Sequence, residues 1–159
     1  RNKEEEIDLT SEPYIMKDIF EKRNGWQEVL FEKRSVGRYF CLEALSSIDD
    51  TDIAAIAEIN ILGKNGKPIP REAWRISYAD SEETIKGNRT AAKIFDLQES
   101  TYWMTVSDIP YPHHIVIDMG KEYEIAGFSY LPRAEKNIPG LIKEYKVYIK
   151  KEPFRLSKK

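Results

Sequence analysis

The chain has 159 residues, 41% of them hydrophobic, with 25 basic against 27 acidic side chains and a formal net charge of -2. That length reads as one domain with apolar residues enough for a core. The near-balanced charge argues against an electrostatic nucleic-acid binder, which would carry a basic face, and gives no reason to expect an anionic membrane as partner.

No apolar run approaches the length of a transmembrane helix. The first residues, RNKEEEID, lack a start methionine and an apolar signal region, so the chain reads as an excised fragment whose targeting signal lies elsewhere. A single cysteine, Cys41, excludes an internal disulfide. Nine Tyr, six Phe and three Trp, set between eight Gly and eight Pro, fit an all-β domain of short strands.

Residues 1–12 are acidic and polar, the composition of a frayed terminus or an edge segment. Ser11-Glu12-Pro13 has the form of a helix opening and Gly25 that of a stop. Residues 1–25 are therefore expected to be a separate N-terminal segment with room for a short helix, and 26–159 a single β-sandwich. GWQEVLFEK alternates, with Gln27, Val29 and Phe31 on one face. RYFCLEAL is apolar on both faces, as a central strand is. SSIDDTD is a loop carrying Asp49, Asp50 and Asp52. AAIAEINIL places Ala57, Ile59 and Ile61 inward and Glu58 and Asn60 outward.

GKNGKPIPRE, with two glycines and two prolines, reads as a connector. WRISYADSEE puts Trp74, Ile76 and Tyr78 on one face of a strand. TAAKIFDLQESTYWMTVSD is the least regular region. A further strand sets Ile115, Ile117 and Met119 against Val116 and Asp118. Gly120-Lys121 then reads as a turn into a second strand with Phe128 and Tyr130 on one face, stopping at Pro132. IKEYKVYIKK closes with Tyr145, Val147 and Ile149 inward. About seven or eight strands with turn signals between them predict a sandwich or jelly roll.

Enzyme signals are absent: there is no HExxH, paired-cysteine motif, GxSxG elbow, GxGxxG or phosphate loop. His113 and His114 are adjacent on a strand and point to opposite faces, so they cannot both enter one site; the plain reading is one ring packed and one solvated. Asp49, Asp50 and Asp52 in one loop, and Asp96, Glu99 and Ser100 in another, are oxygen-rich enough to consider a hard cation. Tyr102 and Trp103 are candidates for a sugar-stacking platform, with Trp103 favoured as core.

WRISYADSEET, FDLQESTYW, PYPHHIVIDMGKEYEIAGFSYLPR and IKEYKVYIKK resemble, in that order, the discoidin (coagulation factor five/eight type C) domain, and within it the bacterial family 32 carbohydrate-binding modules. Upstream, GRYFCLEALSS and AAIAEINILG resemble that domain's last two strands, so the ends stand in swapped order: either the chain is a single permuted sandwich, the reading favoured by the strand count, or it holds the tail of one module and the head of a second. The resemblance implies an all-β, galactose-binding-domain-like jelly roll. It implies a non-catalytic module on a secreted bacterial glycoside hydrolase such as a chitobiase-like β-hexosaminidase, placed in the periplasm, on the outer-membrane surface or outside the cell. The partners implied are a galactose- or hexosamine-type glycan and the parent catalytic domain; the alternative is a docking domain of the same parent that binds no sugar.

The arginine of the family's YxPR run, which contacts sugar, is Arg133 here. The ligand-binding candidates are Arg133, Glu135, Asn137, Tyr102 and His113. Structural calcium is implied at Asp96 and Glu58, although the family's DGxxST loop reads DLQEST and its WHT run reads Trp103-Met104-Thr105.

Overall fold

A computed structural model of the chain describes residues 5–134 and 140–158. Its strands are β1 (Glu5–Ile7), β2 (Met16–Ile19), β3 (Gln27–Ala44), β4 (Ala55–Ile56), β5 (Glu58–Gly63), β6 (Arg75–Ala79), β7 (Trp103–Met104), β8 (His113–Leu131), β9 (Glu144–Lys150) and β10 (Leu156–Lys158). Among the described residues the one helical element is a 3-10 turn, Ala91–Phe95.

The fold is organised by its two longest strands. β3 and β8 pair antiparallel from Gln27↔Tyr130 to Ala44↔His113, with register shifts between Leu30 and Ser35 and between Gly37 and Tyr39. Such irregularities bend a strand pair and add twist. On one side of the bend, β9 pairs with Tyr39–Ala44, β2 pairs with β9, and β6 pairs with the first half of β8. On the other, β5 pairs with the second half of β8. The resulting six-stranded sheet folds over on itself into two layers, and Phe40 of one layer meets Phe128 of the other with ring centroids 5.5 Å apart. β3 and β5, early in the chain, thus lie on either side of the second half of β8.

One sequence expectation fails at the bend. Gly120-Lys121 is no hairpin turn; β8 runs straight through it, with Gly120 at φ 90°. Asp118 fixes the corner, accepting from the Gly120 N–H at 2.8 Å and from Arg38 through Nε at 2.8 Å and Nη2 at 3.1 Å. The Arg38 hydrogen bond holds the Asp118 carboxyl below the usual carboxylate range.

The space between the layers is filled from both by Phe40, Leu42, Ile59, Ile61, Ile115, Ile117, Met119, Phe128, Tyr130, Tyr145 and Val147. Apart from Phe40 and Leu42, whose strand reads as apolar on both faces, these are inward positions the alternation predicts; Ala57, expected with Ile59 and Ile61, packs instead with Ala55, Tyr102 and Leu131. Tyr78 is not among the inward residues. A register shift between Ile76 and Tyr78 turns it to the outer face, where it joins Tyr39, Cys41, Val116 and Tyr148. Ile7 of β1 and Phe154, just before β10, cover that face.

The expected N-terminal helix does not form. β1 pairs with β10 and β2 with β9, so this segment is woven into the sheets. Phe20 anchors it: 3% exposed, with its ring 4.0 Å from both Tyr130 and Tyr145 in near-parallel stacks. An open β9 edge supplies a ladder of backbone partners to residues that alone would make at most a marginal short helix.

Candidate functional site

Because the sheet folds over, both ends of β8 emerge at the same end of the molecule. Residues 52–57 span the gap between them: the Asp52 carbonyl meets His113, and the Ala57 N–H donates to the Leu131 carbonyl at 2.9 Å. The loops before β7, before β8 and after β8 gather there, held by a rigid sheet as binding loops commonly are.

Arg133 lies just beyond β8. Its Nη2 donates to the Tyr102 hydroxyl at 2.7 Å, its Nη1 points at the Met104 sulfur at 3.3 Å, and its guanidinium carbon is 4.1 Å from the Tyr102 ring centroid. Arg89 packs on the same ring, also at 4.1 Å. Such cation-π contacts are worth about 0.5–2 kcal/mol each, depending on burial. Arg133 and Tyr102 are each 7% exposed.

Tyr102 therefore serves as the bed on which two arginines are oriented, and its ring is not an open platform for a sugar. Arg89 was not distinguishable by sequence. Its backbone brings it there, donating to the Glu83 carbonyl and accepting from the Met104 N–H, so the 83–89 loop runs beside β7. Glu135 and Asn137 lie outside the described residues. Trp103 is core, 1% exposed, with its indole N–H donating to the Ser81 carbonyl at 2.9 Å.

His113 is removed from the candidate ligand set. Its side chain is 0% exposed, with Nδ1 2.7 Å from Asp80 Oδ2 and Nε2 on the Asp52 carbonyl. Both partners are acceptors, so both ring nitrogens must donate and the ring is an imidazolium. Burial pushes against that charge, but the Asp80 hydrogen bond and charge, with the Asp52 carbonyl, outweigh it and raise the pKa above the ordinary histidine value. His113 is a tie between the 52–57 segment, Asp80 and the start of β8. His114, on the opposite face, is also largely buried and meets Glu43 at 2.9 Å.

Glu58 and Asp96 do come together. Glu58 is 2% exposed although it faces away from the Ile59–Ile61 core. Its carboxyl is pushed up to about 8, first by burial and then by the hydrogen bond it shares with Asp96, against the lowering pull of Arg71. Asp96 goes the other way: burial opposes its charge, but bonds from Thr101, the Gln98 N–H and Glu58 hold it below the usual carboxylate range. Leu97, 74% exposed, takes φ 65°, the left-handed conformation a glycine would adopt freely at this point of the family's loop.

Calcium needs six to eight oxygens. Here Glu58 Oε1 is taken by Arg71 at 2.9 Å, while Asp96 Oδ1 and Oδ2 are taken by the Gln98 N–H and the Thr101 hydroxyl. Among the described residues no three Asp, Glu, His or Cys side chains converge as a metal cage. Glu58 Oε2 is buried and accepts from no N–H or hydroxyl donor among the described residues, yet these side chains fall short of six oxygens, so the donor set does not fit the ion.

The chain is a two-layer antiparallel β-fold with an arginine-bearing loop cluster at one end. Residues 77–153 match the F5/8 type C domain, the discoidin domain. The chain is 34% identical over 77 residues to a sialidase of Micromonospora viridifaciens, an alignment covering 46% of this chain and 12% of the sialidase. The discoidin domain is non-catalytic and commonly binds carbohydrate. Among the described residues no helix is long and apolar enough to cross a membrane.

Proposed function

We propose that the chain is a single permuted carbohydrate-binding module of a secreted bacterial glycoside hydrolase, binding a galactose- or hexosamine-type glycan at the Arg133 end. The observation that carries this reading is the setting of Arg133: its guanidinium is braced by the Tyr102 hydroxyl and ring within a loop cluster at one end of the sheet. A planar guanidinium presents five N–H donors in a fixed fork, and a pair of them matches two vicinal sugar hydroxyls. Glu135 and Asn137, in the same loop by sequence, supply the acceptor and amide chemistry a sugar ring needs. The parent enzyme proposed is a chitobiase-like β-hexosaminidase, exported to the periplasm, the outer-membrane surface or the medium.

A glycan-array screen of the purified domain, repeated with Arg133→Ala, tests the reading. Hits on galactose- or hexosamine-terminated glycans that vanish in the variant support it; a blank array for the native domain refutes it.

A second reading, a docking domain of the same parent, is favoured by one feature. Between β2 and the first half of β3 runs a groove that sets Ile19 and Leu30, 57% and 60% exposed, among Asp18, Glu21, Arg23 and Glu28. On that reading the array is blank and the isolated domain binds its parent's catalytic domain.

A further inference from the structure

The Glu58–Asp96 pair occupies the position where the family resemblance implies calcium, yet this chain brings its own cation to it. Arg71 Nη1 donates to Glu58 Oε1 at 2.9 Å, and the pair is sequestered, with side-chain exposures of 16% and 3%. Arg71 is held in turn: its carbonyl accepts from the Trp74 N–H at 3.1 Å, and its guanidinium lies 5.5 Å from the Trp74 ring centroid.

Its origin in the chain explains why a family pattern does not anticipate it. Residues 64–74 join β5 to β6, the two strands that a permuted order makes consecutive. The connector is anchored by the Ile69 N–H on the Ile61 carbonyl and by the bridge between Pro68 and Leu62, which directs Arg71 back to Glu58 at the start of β5.

We propose that Arg71 replaces the family's calcium ion, so that the β5 end and the 96–101 loop are joined without metal. Three observations agree. The guanidinium donates to Oε1 of the most buried carboxyl of the region, a contact otherwise left to the metal. Asp96 spends its oxygens inside its own loop, on the Gln98 N–H at 2.9 Å and the Thr101 hydroxyl at 2.5 Å, so that the loop is shaped without a central ion. A divalent ion bound between Glu58 and Asp96 would also sit beside a fixed positive charge in a poorly solvated pocket, where like charges repel strongly.

The test compares the native domain with Arg71→Met and Arg71→Lys by thermal unfolding, in EDTA and in millimolar calcium chloride at matched ionic strength. A native Tm that is the same in both buffers is expected. Arg71→Met should melt about 6–15 °C lower in EDTA, the scale for stripping one partner from a buried ion pair in a domain of this size. Calcium should then raise the Tm of that variant, because the carboxylates it exposes are open to a metal.

Should Arg71→Met fail to fold, terbium luminescence of the native domain and of Arg71→Lys decides: no saturable binding supports the replacement. Saturable micromolar binding by the native domain, a native Tm that climbs with calcium, or an Arg71→Met variant as stable as the native domain in EDTA would each overturn it.

Discussion

His113 gives the sharpest test of how the loop end is held together. It is wholly buried, and its two ring nitrogens join Asp80, at 2.7 Å, to the carbonyl of Asp52. His113→Gln keeps one donor but removes the cation. Breaking a buried charged pair costs about 3–5 kcal/mol when the partner is left unpaired. Asp80 retains the His114 N–H at 2.8 Å, so the lower end applies, about 3 kcal/mol. For a domain of this size that lowers the Tm by about 6–12 °C.

The pH dependence fixes the mechanism. The folded-state pKa of His113 is raised above the ordinary value, so the folded protein binds this proton more tightly than the unfolded chain. Its stabilisation is fully present below the unfolded histidine pKa of about 6.5 and is lost as the pH rises through the folded value. Urea unfolding followed by circular dichroism, on native and His113→Gln protein from mildly acidic to alkaline pH, should show the gap between them closing as pH rises. A gap under about 1 kcal/mol at mildly acidic pH, the worth of one neutral hydrogen bond, or one that widens toward alkaline pH, would refute the imidazolium assignment.

Other predictions follow from packing and the loop site. Phe20→Ala removes a ring stacked on both Tyr130 and Tyr145 and should cost about 3 kcal/mol in urea unfolding; a negligible cost would mean that the first 25 residues are dispensable after all. Gly127→Ala would drive its methyl into the Val29 carbonyl oxygen and against the Leu30 Cα, where Gly127 of β8 pairs with Leu30 of β3. It should destabilise by about 3 kcal/mol, the upper end for overpacking, and an unchanged urea midpoint would contradict the strand spacing. Tyr102→Phe deletes the oxygen that accepts from Arg133 Nη2 and should weaken glycan binding about threefold to tenfold by titration calorimetry, with the fold unchanged by circular dichroism.

The alternation of apolar residues was enough to read the layers of the sandwich, because each inward set, such as Ile115, Ile117 and Met119, is a local pattern of period two. What escaped it was non-local. Gly120 has the residue type of a turn, but whether the chain reverses there or merely bends depends on β3 lying alongside, and only pairing shows that. Tyr78 changes face through a single-residue bulge that leaves no mark on composition. The segment from Pro13 to Gly25 carries helix punctuation, yet the free edge of β9 outcompetes a helix too short to sustain itself.

The site divides in the same way. Arg133 and Tyr102 were reachable through the family pattern, and the structure adds that one supports the other. His113 stood among the candidates although a packed ring was the plainer reading, because a histidine beside a loop carries no sign of whether its partners lie within the fold. Arg89 and Arg71 sit in stretches that read as an acidic loop and a connector. Their partners are remote in sequence, Tyr102 for Arg89 and Glu58 for Arg71, and only the folded chain joins them.

The central claim is that Arg133, set on Tyr102, holds a glycan. The most direct measurement is a calorimetric titration of the native domain and of Arg133→Ala with the best glycan from the array. Binding by the native domain that weakens about tenfold in the variant, the worth of one charge-assisted hydrogen bond, is the predicted result. Equal affinity of the two proteins for that glycan would contradict the account and remove Arg133 from the site.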